Sequence, residues 1–134
     1  MVQILNNRKK VIASVIKKDG LFLLAQRGKQ DALYGKWEFP GGKQEGSESD
    51  QECLARELKE EFGIDATIGQ HLCDVPFEHK DMPYVMRAYL VPSFKGELEL
   101  REHLQIHWVT ASDLTSYVVP EPDKPIIAYI QENF

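Results

Sequence analysis

The segment from Ser49 to Gly63 constrains the fold more than any other part of this chain. Ser49 and Glu52 have the three-residue offset of a capping box, and Gly63 stands where a left-handed residue ends a helix. At about 100° per residue, Leu54, Ala55, Leu58 and Phe62 fall on one arc between them. The pattern predicts a helix over 49–62 that buries one stripe against a larger body.

The surroundings supply that body. Lys10 to Lys17 is rich in Val and Ile and reads as a strand, and Lys18-Asp19-Gly20 reads as a hairpin turn leading into a return strand over 21–26. Residues 27–36 form a long polar loop. Lys36 to Phe39 is a short strand stopped by Pro40-Gly41-Gly42. Residues 66–77, 84–91 and 105–109 alternate as strands. Thr110 to Asp113 resembles a helix start, and Pro125 opens a last helix running to about Gln131. Strands interrupted by one strong central helix and closed by a terminal one predict an α/β (α+β) fold, a mixed sheet with helices on its faces.

Composition narrows the function classes. At 134 residues, 43% of them hydrophobic, the chain is long enough for one domain spanning 1–134 with a real core. Sixteen Lys and Arg against 21 Asp and Glu give a net charge of −5, with no basic run beyond Arg8-Lys9-Lys10. That disfavours a nucleic-acid polymer as partner, because phosphate contacts need clustered cations. The strongest apolar run, Leu21 to Ala25, is far too short to cross a membrane, which takes roughly 20 residues. The N-terminal charges follow the short apolar stretch, the reverse of a secretory signal. Cys53 and Cys73 are too few for a disulfide scaffold. These features predict a soluble, cytoplasmic protein, monomer or homodimer, with no membrane partner.

The helix also carries an unusual charge pattern. Glu57, Glu60 and Glu61 share the arc beside the apolar stripe at i, i+3 and i+4, so their side chains converge. Two such charges about 5.5 Å apart repel by roughly 3 kcal/mol at an effective dielectric of 20. No cation shares their arc, and Arg56 lies on the far side of Glu60, able to screen it only in part. Two readings fit: a solvated acidic face, or a divalent-cation site whose hard oxygen donors suit magnesium or manganese. Phe39-Pro40-Gly41-Gly42-Lys43 stands just upstream. Its glycines permit close backbone approach to a ligand, and Lys43 adds a phosphate-seeking charge. The neighbourhood favours the cation site.

Gly42, five residues, Glu48, seven residues, then Arg56-Glu57-Leu58-Lys59-Glu60-Glu61-Phe62-Gly63-Ile64 resembles the Nudix box at every specified position. The segment from Lys36 to Lys43 is similar to the lead-in of MutT-type Nudix enzymes. Trp37 and Leu24-Ala25-Gln26-Arg27 are similar to the CTP pyrophosphohydrolase-like branch. The resemblance implies the Nudix fold, an α/β/α sandwich around a mixed β-sheet. It implies Mg2+-dependent hydrolysis, with Mn2+ as a substitute, of a (deoxy)nucleoside triphosphate to a nucleoside monophosphate and pyrophosphate. Such an activity would act on CTP/dCTP-type or oxidised nucleotides and cleanse the nucleotide pool. By position it implies Glu57 and Glu61 as principal metal ligands, helped by Glu60 and the Gly41 carbonyl, with Arg56 orienting the carboxylates through Glu48. The physics agrees: a triphosphate would be repelled by four glutamates unless a cation reversed the sign.

Other roles follow from the same resemblance. The general base is Glu57 or Glu102, and Glu102 is also a metal-ligand candidate; its plain alternative is an exposed loop residue. Arg27 and Lys43 are candidates for phosphate contact, or ordinary surface cations. Phe77 and Tyr84 are candidates for base stacking, or core. Asp123, ahead of the last helix, is either an N-cap or a reader of an exocyclic amino group on the base. As an aspartate it favours the CTP branch over 8-oxo-dGTP. The four histidines lack metal spacing and read as structural or solvent-facing, and Trp37 and Trp108 read as core. Alternatives are hydrolysis of ADP-ribose or a dinucleoside polyphosphate, or a non-catalytic nucleotide-sensing module. The retained glutamates argue against the sensor.

Overall fold

A computed structural model describes residues 7–134. Met1 to Asn6, which carry part of the N-terminal reading, lie outside the described residues. The elements run β1 (Lys9–Lys18), β2 (Leu21–Gln26), β3 (Trp37–Glu38), β4 (Gly41–Lys43), α1 (Asp50–Phe62), β5 (Asp65–Thr67), β6 (His71–His79), β7 (Met82–Val91), β8 (Ser93–Lys95), β9 (Gln105–Val109) and α2 (Lys124–Asn133). Short 3-10 turns at Ser112–Ser116 and Glu121–Asp123 precede α2.

The main sheet is ordered β3-β2-β1-β7-β6, with β4 also on β1 and β9 on β2. β1 and β7 are parallel from Lys9 opposite Tyr84 to Ile16 opposite Val91, and the other pairs are antiparallel, so the sheet is mixed. β5 and β8 form a separate two-stranded ribbon. Side chains alternate along β1 because a strand has a period of two. Ile12 and Ile16 face α1, packing with Leu23, Leu54, Leu58 and Phe62. Ala13 and Val15 face α2, packing with Phe22, Leu24, Ile126, Ile127 and Ile130. One helix therefore covers each face of the sheet. Leu54, Leu58 and Phe62 are fully buried, each contributing about 1.5–3 kcal/mol. Among the described residues no helix is long and apolar enough to cross a membrane.

The local signals hold. Ser49 and Glu52 close a reciprocal capping box, and Gly63 ends α1 at φ 71°. Asp19 and Gly20 turn the first hairpin with φ of 53° and 78°. Other expectations need correction. The strand read over 66–77 is two strands, β5 and β6, in different sheets. The helix read at Thr110 is a 3-10 turn. Gly41–Lys43 does not merely stop β3; it pairs antiparallel with Val11, Ile12 and Ala13.

Candidate active site

β4 sets the floor of the site. The Ser14 backbone N–H and hydroxyl both donate to the Pro40 carbonyl, at 2.7 and 2.6 Å, locking the chain as it enters β4. A Cβ on Gly41 would stand 1.8 Å from the Ile12 carbonyl oxygen. One on Gly42 would stand 2.2–2.6 Å from the Glu57 carboxylate. At Gly41 only glycine lets this strand lie against β1, whereas at Gly42 a side chain would displace the Glu57 carboxylate.

Arg56 organises the exposed side of α1. It donates to Glu48 twice, from Nη2 at 2.8 Å and Nε at 3.1 Å. Its Nη1 reaches Glu57 Oε1 at 3.1 Å and Glu60 Oε2 at 3.2 Å, and Nη2 also donates to the Lys43 carbonyl at 3.2 Å. This corrects the expectation that Arg56 screens Glu60 alone: a long guanidinium folds back along the helix and reaches Glu57 as well. The hydrogen bonds from Arg56 pull the Glu48 carboxyl down to about 2.

Glu61 has no such partner. Its side chain is 4% exposed and its Oε2 is buried without a hydrogen bond. Burial raises its pKa far above the carboxylate range, and the charges of Glu38, Glu57 and Glu102 push the same way. Glu57 is raised too, mainly by burial, with Arg56 pulling against it. A set of crowded carboxylates with an orphaned buried oxygen fits a divalent cation, which would restore the charge these groups resist carrying.

Two cavities meet here. The smaller, about 150 Å³, is lined by Gly41, Glu57, Glu61, Glu102, Glu38 and His103 among others. Glu60 is 55% exposed, bonded to Arg56, and does not line it. The larger, about 440 Å³, brings together Arg27, Lys43, Phe77 and Asp123. Arg27, Glu38 and Gly41 line both. That volume is ordinary for a small-molecule site.

The substrate-side candidates are held in distinct ways. Arg27 is clamped between Asp31 and Glu38. Phe77 stacks on Tyr84 at 5.3 Å and 15°, and Tyr84 is itself buried. Lys43 Nζ sits 5.6 Å from the Tyr84 ring centroid. Asp123 is 3% exposed and makes no capping hydrogen bond to α2. Its Oδ2 accepts from the Phe39 N–H at 3.0 Å instead, and burial pushes its carboxyl up to about 7.

Sequence reasoning missed Glu38 and treated His103 as one more histidine without metal spacing. His103 is inside the carboxylate cluster, with a side chain 5% exposed. Its Nε2 lies 2.7 Å from Glu38 Oε2 and 3.6 Å from Glu61 Oε1. The three groups lie close enough together to be considered as metal ligands. The adjacency of His103 to Glu102 was the only signal in the sequence. Trp37 is buried as expected, while Trp108 is half-buried at the edge of the α1-side core.

Comparison with known proteins adds to this geometry. A NUDIX-domain family model matches residues 6–130. The chain is 38% identical over 117 residues to the CTP pyrophosphohydrolase of Escherichia coli (strain K12), covering 87% of each. It is 40% identical over 90 residues to the 8-oxo-dGTP diphosphatase of Proteus vulgaris, covering 66% of this chain and 80% of that one. The solved structure of the Escherichia coli ORF135 protein matches with a TM-score of 0.86 at 36% identity, covering 93% of this chain and 89% of that one.

Proposed function

The chain belongs to the Nudix hydrolase family, enzymes that cleave acid anhydrides, and from that premise we propose that it hydrolyses (deoxy)nucleoside triphosphates to nucleoside monophosphate and pyrophosphate. The observation that carries the reading is the meeting of the carboxylate cavity and the 440 Å³ cleft at Gly41, Arg27 and Glu38. A nucleoside held in the larger space would present its phosphates to the smaller one.

The Gly41 carbonyl, Glu57 and Glu61, with Glu102 in support, are the residues that would hold Mg2+, or Mn2+ in its place; Glu60, turned to Arg56 outside the smaller cavity, is not among them. When bound, the ion supplies a more acidic water and neutralises phosphate charge. The chain's own groups do the rest. Water attacks the β-phosphorus, the bond from that phosphorus to the α–β bridging oxygen breaks, and a carboxylate takes the water's proton. Glu102 suits that last task better than Glu57. It lines the smaller cavity and makes no side-chain hydrogen bond among the described residues, whereas Glu57 is engaged by Arg56. Arg56 orients Glu48, Glu57 and Glu60. Arg27 and Lys43 contact phosphate oxygens, and Phe77 stacks the base.

Asp123 reads the base edge. Phe39 occupies one of its oxygens, which leaves Oδ1 to accept from an exocyclic amino group. The names of the relatives support CTP-type or oxidised nucleotides as substrates, and with them a role in cleansing the nucleotide pool.

Product analysis tests this reading. CTP, dCTP, 5-methyl-dCTP, dGTP, 8-oxo-dGTP and ADP-ribose are incubated with protein and Mg2+, and products are separated by ion exchange. Monophosphate with pyrophosphate from the triphosphates is the expected result. Cleavage of ADP-ribose alone would move the assignment to diphosphate-linked substrates. No cleavage by folded, Mg2+-loaded protein would leave a nucleotide-sensing module.

A further inference from the structure

We propose that His103 is a positioning residue that holds the Glu61 carboxylate for the metal. This rests on the metal assignment made above. The imidazole is wedged between two acids, with Nε2 at 2.7 Å from Glu38 Oε2 and 3.6 Å from Glu61 Oε1. Arg27 occupies the other oxygen of Glu38, and Asp31 holds Arg27 in turn. Both oxygens of Glu38 are therefore engaged, and through Oε2 it holds the ring. The opposite side of the ring is fixed by Phe62, which stacks on it at 5.2 Å and 9°. His103 presents one N–H to a pair of carboxylates that would otherwise repel across a buried gap. The Glu61 oxygen facing the ring lies within electrostatic reach of that N–H at 3.6 Å, beyond a hydrogen bond, and Oε2, which is buried without a hydrogen-bond partner, is left for a cation.

His103 does not serve as a metal ligand itself. A ligating histidine donates its second ring N–H to an acceptor, which sets the tautomer. Here Nδ1 is buried and has no partner. A proton on Nδ1 would be stranded, whereas a proton on Nε2 is shared with Glu38. The network thus selects the tautomer that donates toward the acids and rejects the one that would coordinate. Arg27 and Glu38 line both cavities, so the chain Arg27–Glu38–His103–Glu61 also links the wall of the larger cavity to the metal side of the smaller one.

The test is Mn2+ binding to nucleotide-free protein, followed by electron paramagnetic resonance. This makes it independent of which nucleotide is cleaved. His103→Leu keeps the packing on Phe62 and removes the N–H; it should bind Mn2+ about 10- to 100-fold more weakly. His103→Gln places an amide N–H near the Nε2 position and should stay close to wild type. Spin-echo spectra of wild type should lack the coupling of a directly bound imidazole nitrogen. Should His103→Leu fail to fold, His103→Asn, whose shorter amide does not reach Glu38, takes its place. Unchanged binding in the Leu variant, equal loss in Gln and Leu, or a direct nitrogen coupling would each overturn the proposal alone. A wild type that binds no Mn2+ would overturn the metal reading of the site and this inference with it.

Discussion

Gly42 lies so close to Glu57 that a single added methyl would stand 2.2 Å from the carboxylate carbon. The obstacle is the far end of a flexible side chain, so Gly42→Ala relieves the overlap by swinging Glu57 away rather than by unfolding β4. The expected outcome is a folded protein that has lost its metal geometry. A displacement of about 1 Å at such a site costs roughly 100-fold in rate. Circular dichroism and kcat/KM on the preferred triphosphate check it. Gly41→Ala is a contrasting case, because its methyl would meet the fixed Ile12 carbonyl at 1.8 Å and should destabilise the sheet itself.

Glu57 and Glu102 should separate by mechanism. Glu57→Gln removes a charge from the carboxylate cluster, so Mn2+ binding and kcat should fall together while the fold is kept. Glu102→Gln removes a proton acceptor at the cavity rim. It should lower kcat by about 10²- to 10⁴-fold with a smaller effect on metal affinity. Titration of metal binding alongside steady-state kinetics distinguishes the two. A Glu102→Gln variant with wild-type kcat would return the base role to Glu57.

Asp123 should make both stability and, in the proposed role of base reader, selectivity depend on pH. Its carboxyl, ordinarily near 3.8, is pushed to about 7 by burial. The folded state thus prefers the protonated form. The stability linked to this group is complete below about pH 4 and is lost as pH rises through 7, an effect of at most about 4 kcal/mol. Asp123→Asn should flatten that dependence, matching wild type near pH 4 and exceeding it at pH 8 in thermal midpoint. Binding runs the other way. Only the carboxylate accepts fully from a base amino group, so KM for dCTP should rise in wild type as pH falls from 8 to 6. In Asp123→Asn that trend should vanish.

What could be read in advance divides by range. The capping box at Ser49 and Glu52, the left-handed Gly63 and the Asp19-Gly20 turn are chemistry within a few residues, and the sequence carried each. The carboxylate ladder on α1 was readable for the same reason, since helical spacing alone makes Glu57, Glu60 and Glu61 neighbours. The turn joining β6 to β7 was not readable: Lys80 and Asp81 both take positive φ, at 52° and 63°, without a glycine to announce it. β4 was missed because two glycines carry no hydrophobic pattern, and its identity as a strand comes from pairing with β1 far back in the chain. Glu38 and His103 meet across 65 residues of sequence. Their relation depends on β3 and the loop before β9 arriving at one place, which no local spacing encodes.

Ser49→Ala offers a final check on how strongly the sequence specifies the site. The Ser49 hydroxyl accepts from the Glu52 N–H at 3.1 Å, and the Glu52 carboxylate accepts from the Ser49 N–H at 2.8 Å. Loss of the hydroxyl leaves a first-turn donor to water at an exposed helix end, costing about 1 kcal/mol. Arg56 and Glu57 lie about two turns further on, and Arg56 is held independently by Glu48 just ahead of the cap and by the Lys43 carbonyl of β4. Fraying at Ser49 should therefore stop before Arg56. Thermal denaturation should show a drop of several degrees, while kcat at a temperature well below the midpoint stays at the wild-type value. A matching loss of kcat would mean that the cap, and not only the Arg56 network, holds the carboxylates in place.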